Sequence, residues 1–253
     1  MTLTDPFRHR PLAHRGFHEA RDARPENSRA AIKAAVRAGY GIEVDVQLSR
    51  DNVAMVFHDY LLDRVTTAQG AVRQKNAADL AEICLQGTEE GIPTLVECLE
   101  LINGRVPLLV ELKDQDGEMG PNVGELERAV AQALCRYPGP IAVMSFNPHS
   151  VKAMGALLPA VPRGLVTCGY PYEEWPLPAA ICDRLRQIPD YARIGASFIS
   201  HEVTDLTSRR VRELKAQGAL VFCWTVRSVA EEAMARQIAD NITFEGYAAA
   251  LPS

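Results

Sequence analysis

The sequence lacks a basic excess, a long apolar run and an apolar stretch in its first residues, and each absence argues against a class of protein. Its 27 lysines and arginines face 32 aspartates and glutamates, a formal charge of −5, so nothing favours a nucleic-acid partner. No run of 18 apolar residues occurs, which predicts no stable membrane insertion. The first ten residues lack the apolar stretch of a signal peptide, so we expect a cytoplasmic protein.

The cysteine pattern lacks metal-site and disulfide signatures. The six cysteines form no C-x-x-C pair, and no histidine is spaced to complete a zinc site with them. We predict reduced thiols that serve as small core residues. They are Cys84, Cys98, Cys135, Cys168, Cys182 and Cys223.

The chain also lacks an internal linker. Its 253 residues suit one large domain or two small ones. No Pro/Gly/Ser-rich stretch, low-complexity tract or convincing repeat divides it, so we predict a single domain over residues 1–253.

Short apolar segments rich in β-branched residues alternate with longer segments of helical spacing. Strands are predicted at 11–14, 41–48, 106–113, 141–146, 164–168, 197–200, 220–226 and 241–244. Helices are predicted at 28–38, 77–83, 95–102, 123–137, 148–157, 181–188, 208–217 and 229–239. Eight alternations predict an α/β fold, a (β/α)8 TIM barrel, with a doubly wound open sheet as the alternative.

One extended piece does not fit the alternation. Residues 53–58 follow the second strand too closely for a crossover helix, so they are a hairpin partner or a loop near the barrel rim. The stretch 60–91 is long enough for a small excursion over the barrel mouth.

Helix-end signals agree with this assignment. Asn27 or Ser28 can cap the first barrel helix and Ser228 can cap the last. Gly39 and Gly218 stand where helix ends favour a left-handed residue.

Two strands carry charged residues at a spacing of two. Glu43 with Asp45, and Glu111 with Lys113, therefore share a strand face, and in a barrel that face points into the mouth near the carboxyl ends. Clustered carboxylates repel unless a cation intervenes, and an all-oxygen set favours Mg²⁺ or Ca²⁺, with Mn²⁺ also accepted. The alternative is a salt-bridged rim.

Two histidines end extended segments beside this acidic set. His14 and His58 can trade protons near neutral pH, as general acid–base catalysis requires. Asp59 is a weak candidate to orient an imidazole, because adjacent side chains of a strand point apart. His149 and His201 are interpreted as structural residues.

Arg15 can grip phosphate oxygens bidentately, with Lys113 as a second positive charge. A surface ion pair with Glu19 or Asp22 is the alternative for Arg15. Trp224, on the seventh predicted strand, can pack against a substrate's carbon skeleton, although core packing explains it equally well.

These motifs, in this order, resemble the glycerophosphodiester phosphodiesterase family of phospholipase-C-like TIM barrels. The resemblance spans nearly the whole chain. The matching segments are His14-Arg15-Gly16, Pro25-Glu26-Asn27, Glu43-x-Asp45-Val46, His58-Asp59, Leu62-x-Arg64, Glu111-x-Lys113, Ser145-Phe146 and Trp224-Thr225-Val226.

The resemblance implies hydrolysis of glycerophosphodiesters to sn-glycerol 3-phosphate and an alcohol. It implies metal ligands at Glu43, Asp45 and Glu111, an acid–base pair at His14 and His58, and phosphate contacts at Arg15 and Lys113. The family often has Asp where this chain has Phe244, which puts the last barrel loop in question.

Two other functions stay open at this point. One is a phospholipase-D-like or cyclising lyase activity on lysophospholipids or phosphoinositides, and the other is a phosphodiester-binding module without turnover. The sequence is also compatible with a homo-oligomer.

Overall fold

In the computed structural model, which describes residues 3–251, eight parallel strands close into a barrel. Following the barrel, β1 pairs with β2, β2 with β4, and so on to β9, which pairs with β1. The predicted (β/α)8 barrel is therefore confirmed, and the open sheet is wrong. The strands are β1 (Leu12–Ala13), β2 (Gly41–Leu48), β3 (Ala54–Val56), β4 (Leu108–Leu112), β5 (Ile141–Ser145), β6 (Arg163–Thr167), β7 (Phe198–Glu202), β8 (Leu220–Val226) and β9 (Asn241–Phe244).

The extra extended piece is a hairpin partner outside the barrel. β3 runs antiparallel to β2, with Val46 opposite Val56. The excursion that follows packs a small core of its own between Met55 and Ile92, and its first residues, 58–64, reach a cavity at the mouth.

All eight predicted helices are present, most of them shorter than the apolar pattern indicated. The helix predicted at 123–137 spans Glu125–Leu134, and the one predicted at 229–239 ends at Ala235. No helix within residues 3–251 is long and apolar enough to cross a bilayer. The helices are α1 (Pro6–His9), α2 (Arg29–Ala38), α3 (Ala77–Ala81), α4 (Leu95–Ile102), α5 (Glu125–Leu134), α6 (Pro148–Leu157), α7 (Ala179–Arg186), α8 (Arg209–Ala216) and α9 (Val229–Ala235).

The helix-end signals act as expected. Ser28 accepts a hydrogen bond from the Ala31 amide, and Ser228 accepts one from the Glu231 amide. Gly39 has φ +79° at the end of α2 and Gly218 has φ +91° beyond α8, conformations that cost glycine little.

The cysteine prediction is partly wrong. Cys98, Cys168, Cys182 and Cys223 are buried, but Cys84 is half-buried and Cys135 is exposed. Cys135 is the C-terminal capping residue of α5, beyond the apolar face of the helix.

The short helix α1 was not predicted, because four residues are too few for a periodic signal. It places Phe7, which is fully buried, in an apolar cluster with Leu12, Leu109, Phe198 and Phe222. Two hydrogen bonds from Asn241 of β9 to backbone carbonyls of residues 7 and 10 fasten the segment to the barrel.

Truncating Phe7 is expected to destabilise the barrel. Phe7→Ala leaves a cavity inside the cluster, so the free energy of unfolding should fall by about 3–5 kcal/mol in a urea titration. Leu157→Ala, at a side chain 41% exposed, serves as the control and should change it by less than about 1 kcal/mol. A Phe7 variant as stable as the control would show that α1 contributes nothing to the core.

Candidate active site

Three buried carboxylates converge at the carboxyl ends of β2 and β4. The parallel register places Asp45 beside Glu111, and Glu43 lies on the same face two residues earlier. One carboxylate oxygen from each of the three lies within 4.8 Å of the others. All three are at most 7% exposed. Such an all-oxygen cluster is what a hard divalent cation prefers.

Cationic and amide groups surround this acidic trio. Lys113 Nζ lies 2.7 Å from Glu111 and 3.5 Å from Asp45. Asn27 Nδ2 donates to Asp45 at 3.0 Å. The backbone amide of Arg15 donates to Glu43 at 3.0 Å. The salt-bridged rim considered above is thus present around the trio, yet it leaves a buried oxygen of Glu43 without a hydrogen bond.

That oxygen is Glu43 Oε1, which is buried and makes no hydrogen bond. Burial raises the pKa of Glu43 well above its usual value, and the neighbouring charges of Asp45 and Glu111 add to the rise. Burial also tends to raise the pKa of Asp45, but the positive charges around it outweigh this and hold its pKa far below the usual range. A bound cation would give Glu43 Oε1 the partner it lacks, so the residues present fit a divalent metal.

His14 lies just after β1, where its backbone amide donates to the Phe244 carbonyl at 2.9 Å. Its Nδ1 lies 2.6 Å from Glu245 Oε2. Burial lowers the pKa of His14, and the hydrogen bond to Glu245 opposes that shift. Sequence reasoning missed Glu245; the available signal was its position directly after the last strand, where barrel active-site residues lie.

His58 has a carboxylate partner of its own. Its Nδ1 lies 2.5 Å from Asp59 Oδ1, and Arg64 holds Asp59 from the other side at 2.6 Å. Asp59 was discounted in the sequence analysis because adjacent side chains of a strand point apart. That geometry does not apply, because β3 ends at Val56 and residues 58 and 59 lie beyond it.

Arg15 is not in a surface ion pair with Glu19 or Asp22. Its Nη1 donates to Glu26 at 2.7 Å, and its Nε lies 3.3 Å from Asp45. Arg15 therefore reaches the acidic trio itself, and Glu26, noticed only as part of a motif, is the residue that positions it.

The eight candidate residues line a single cavity of about 130 Å³, called here the site cavity. Trp224 forms part of its wall, and its Nε1 donates to the Ser200 carbonyl at 3.0 Å, which fixes the indole. The eight are His14, Arg15, Glu43, Asp45, His58, Glu111, Lys113 and Trp224.

The site cavity does not include Phe244, His201 or His149, which the sequence analysis also considered. Phe244 is buried and packs edge-on against Tyr40, with ring centroids 4.8 Å apart, so it serves the core. His201 is buried between Thr167 and Asp205, as a structural histidine would be. His149 lies in the first turn of α6.

Comparison with known proteins supports the resemblance. The model of the glycerophosphoryl diester phosphodiesterase family matches residues 14–242. A glycerophosphodiester phosphodiesterase of Caldanaerobacter subterraneus is 29% identical, over 85% of this chain and 84% of its own. One from Bacillus subtilis is 26% identical, over 90% of this chain and 80% of its own.

Solved structures of phosphodiesterases have a fold similar to that of this chain. An Oleispira antarctica phosphodiesterase in complex with the product sn-glycerol-3-phosphate superposes with a TM-score of 0.75 and 25% identity, covering 92% of this chain and 91% of its own. A glycerophosphodiester phosphodiesterase from Parabacteroides distasonis superposes with a TM-score of 0.74 at 23% identity, over 93% and 92% of the two chains. The chain therefore belongs to the glycerophosphoryl diester phosphodiesterase family.

Proposed function

We propose that this enzyme hydrolyses glycerophosphodiesters to sn-glycerol 3-phosphate and an alcohol, with a divalent cation and two histidines. The observation that carries the proposal is the site cavity: three buried carboxylates, among which Glu43 Oε1 makes no hydrogen bond, two imidazoles and the cationic side chains of Arg15 and Lys113 line about 130 Å³. The Oleispira antarctica relative, whose structure holds sn-glycerol-3-phosphate, supports this product class.

Glu43, Asp45 and Glu111 would hold the cation. The oxygen-only ligand set fits Mg²⁺, Ca²⁺ or Mn²⁺. A cation bound there supplies Lewis-acid polarisation of the phosphoryl oxygens and offsets their charge.

His14 and His58 move the protons. Each imidazole has Nδ1 next to a carboxylate, Glu245 for His14 and Asp59 for His58, which leaves Nε2 to exchange a proton with the reacting oxygens. One of the two activates the attacking hydroxyl or water, and the other protonates the departing alcohol.

Arg15 and Lys113 bind the phosphate. Both lie beside carboxylates of the site cavity, Asp45 for Arg15 and Glu111 for Lys113, so their positive charges are already in place before a substrate arrives. The negative charges of Asp45 and Glu111 outweigh the burial of Lys113 and keep its pKa above the usual value, so it is an ammonium at neutral pH.

The cytoplasmic location and the homo-oligomer expected from the sequence stay predictions.

A panel of glycerophosphodiesters tests the reaction. Glycerol 3-phosphate and a free alcohol should appear with the metal present, disappear with EDTA and return when Mg²⁺, Ca²⁺ or Mn²⁺ is added. Glu43→Ala should require more metal for the same rate, whereas Glu100→Ala, on an exposed position of α4, should not.

Other products would contradict this proposal. A cyclic phosphate would indicate the lyase activity considered above, and binding of glycerophosphocholine by folded, metal-loaded protein without any release would indicate a binding module.

Removing either catalytic imidazole should slow the chemical step. His14→Ala and His58→Ala are each expected to lower kcat by roughly 100-fold or more, because each removes a proton-transfer group, while Mg²⁺ affinity measured by calorimetry stays nearly unchanged. His149→Ala, outside the site cavity, is the matched control. Full activity in both His14 and His58 variants would disprove their assigned roles.

A further inference from the structure

A second, larger cavity of about 660 Å³ adjoins the site cavity and shares His58, Glu111, Lys113, Phe146 and Trp224 with it. Six aromatic or long aliphatic side chains line it, and we call it the aromatic cavity. They are Tyr60, Leu61, Met119, Phe146, Trp175 and Trp224.

The aromatic rings form one continuous wall. Phe146 lies between the two indoles, with ring centroids 5.6 Å from Trp224 and 5.0 Å from Trp175. Tyr170 packs behind Trp175 at 4.8 Å and is buried. The wall is therefore fixed from behind, and it borders the site where the phosphate is proposed to bind.

The cationic groups of the aromatic cavity are already neutralised. Arg64 and Lys113 each lie between two carboxylates, which offset their positive charge toward the aromatic cavity. The partners are Glu26 and Asp59 for Arg64, and Asp45 and Glu111 for Lys113.

Two acidic groups of the wall have no such partner. Within residues 3–251, no ion pair joins Asp63 or Asp114 to a cation. Asp63 accepts from the Gly70 amide. Asp114 accepts from Asn147 and from the Met119 amide, and burial together with the neighbouring Asp116 raises the pKa of Asp114. The cavity thus combines π faces with a carboxylate that no cation offsets, Asp63, and this combination attracts a cation with an apolar surface more than a neutral chain or an anion.

We propose that the aromatic cavity receives the alcohol portion of the substrate and selects alcohols that carry a quaternary ammonium. This inference rests on the proposed function, because the phosphodiester must lie in the site cavity for its alcohol to reach the aromatic wall.

A binding measurement tests this inference without turnover. The chain has two tryptophans: Trp175 lines the aromatic cavity and Trp224 lies where the two cavities meet, so intrinsic fluorescence reports on ligands at this wall. Choline should bind roughly tenfold more tightly than 3,3-dimethyl-1-butanol, which has the same shape without the charge. Asp63→Asn should reduce that preference. Equal affinities for the two alcohols would overturn the proposal.

A substrate comparison adds the catalytic readout. Trp175→Ala should lower kcat/KM for glycerophosphocholine roughly three- to thirty-fold more than for glycerophosphoethanolamine. Tyr172→Ala, on the same loop but outside the aromatic cavity, should leave the ratio of the two unchanged. An equal loss on both substrates would contradict the selectivity, whereas no release from any glycerophosphodiester would contradict the proposed function itself.

Glu245, which is not one of the three carboxylates of the acidic trio, contacts His14 Nδ1. Arg227 Nε donates to Glu245 Oε1 at 2.8 Å, and the Glu245 amide donates to the Val226 carbonyl at 3.0 Å. His18 Nε2 lies 3.4 Å from the same oxygen that meets His14. Both the backbone and the carboxylate of Glu245 are thus fixed.

We infer that Glu245 is a positioning residue that keeps the proton of neutral His14 on Nδ1, so that Nε2 is the nitrogen that serves the reaction. This, too, rests on the proposed function. Glu245 also stabilises the imidazolium once it forms, as a buried carboxylate does for a catalytic histidine. A cation held by His14, His18 and Glu245 is disfavoured, because Arg227 already supplies the positive charge.

Substitutions at Glu245 distinguish a positioning role of this residue from a purely structural one. Glu245→Gln should lower kcat about 10- to 100-fold with little change in KM. Without the carboxylate charge the pKa of His14 falls further, so the limb of the pH–rate profile that follows His14 should move to lower pH. Glu245→Asp should recover part of the rate. Glu213→Gln, at a half-buried glutamate of α8 that pairs with Arg209 and does not line the site cavity, is the control.

Two results would overturn the role of Glu245. One is a Glu245→Gln variant with an unshifted pH profile and a wild-type ¹⁵N spectrum of His14, since the tautomer would then not depend on the carboxylate. The other is bound Zn²⁺ that is lost together with activity in Glu245→Gln and in His18→Gln, since the three residues would then be metal ligands.

Discussion

The mutual repulsion of three buried carboxylates is the constraint on which the rest of the site depends. Glu43, Asp45 and Glu111 are held within 4.8 Å of one another, away from water, by the hydrogen bonding of β2 to β4. Such a cluster is stable only if positive charge and hydrogen-bond donors surround it. Arg15 and Lys113 supply the charge, and these are also the groups proposed to bind phosphate. The same two positive charges thus stabilise the carboxylate cluster and are proposed to bind the substrate.

Closure of the barrel completes the site. His14 and Glu245 are 231 positions apart along the chain, and they meet because β1 and β9 are neighbouring strands of the closed sheet. The excursion after β3 brings Asp59 and Arg64 to the other side, where they hold His58. The two imidazoles are therefore positioned by different parts of the chain, His14 by the residue after the last strand and His58 by the excursion after β3.

Much of the fold could be predicted because its signals are local. Each barrel strand carries its own apolar, β-branched run, and Ser28 and Gly39 mark the limits of α2 within a few residues. Where prediction failed, the local signal was weak or contradictory. The helix α1 is too short to show a period, and Asp59 was discounted on strand geometry that ends at Val56.

The sequence alone predicts the barrel, the family and eight of the residues that line the site cavity, because strand alternation and short motifs indicate which face a side chain takes. The tertiary structure alone decided which groups face one another: Glu245 against His14, Glu26 against Arg15, and the wall of aromatic rings beside the phosphate site. Most of these contacts join segments far apart in sequence, and no periodic pattern in the sequence indicates which segments a closed barrel brings together.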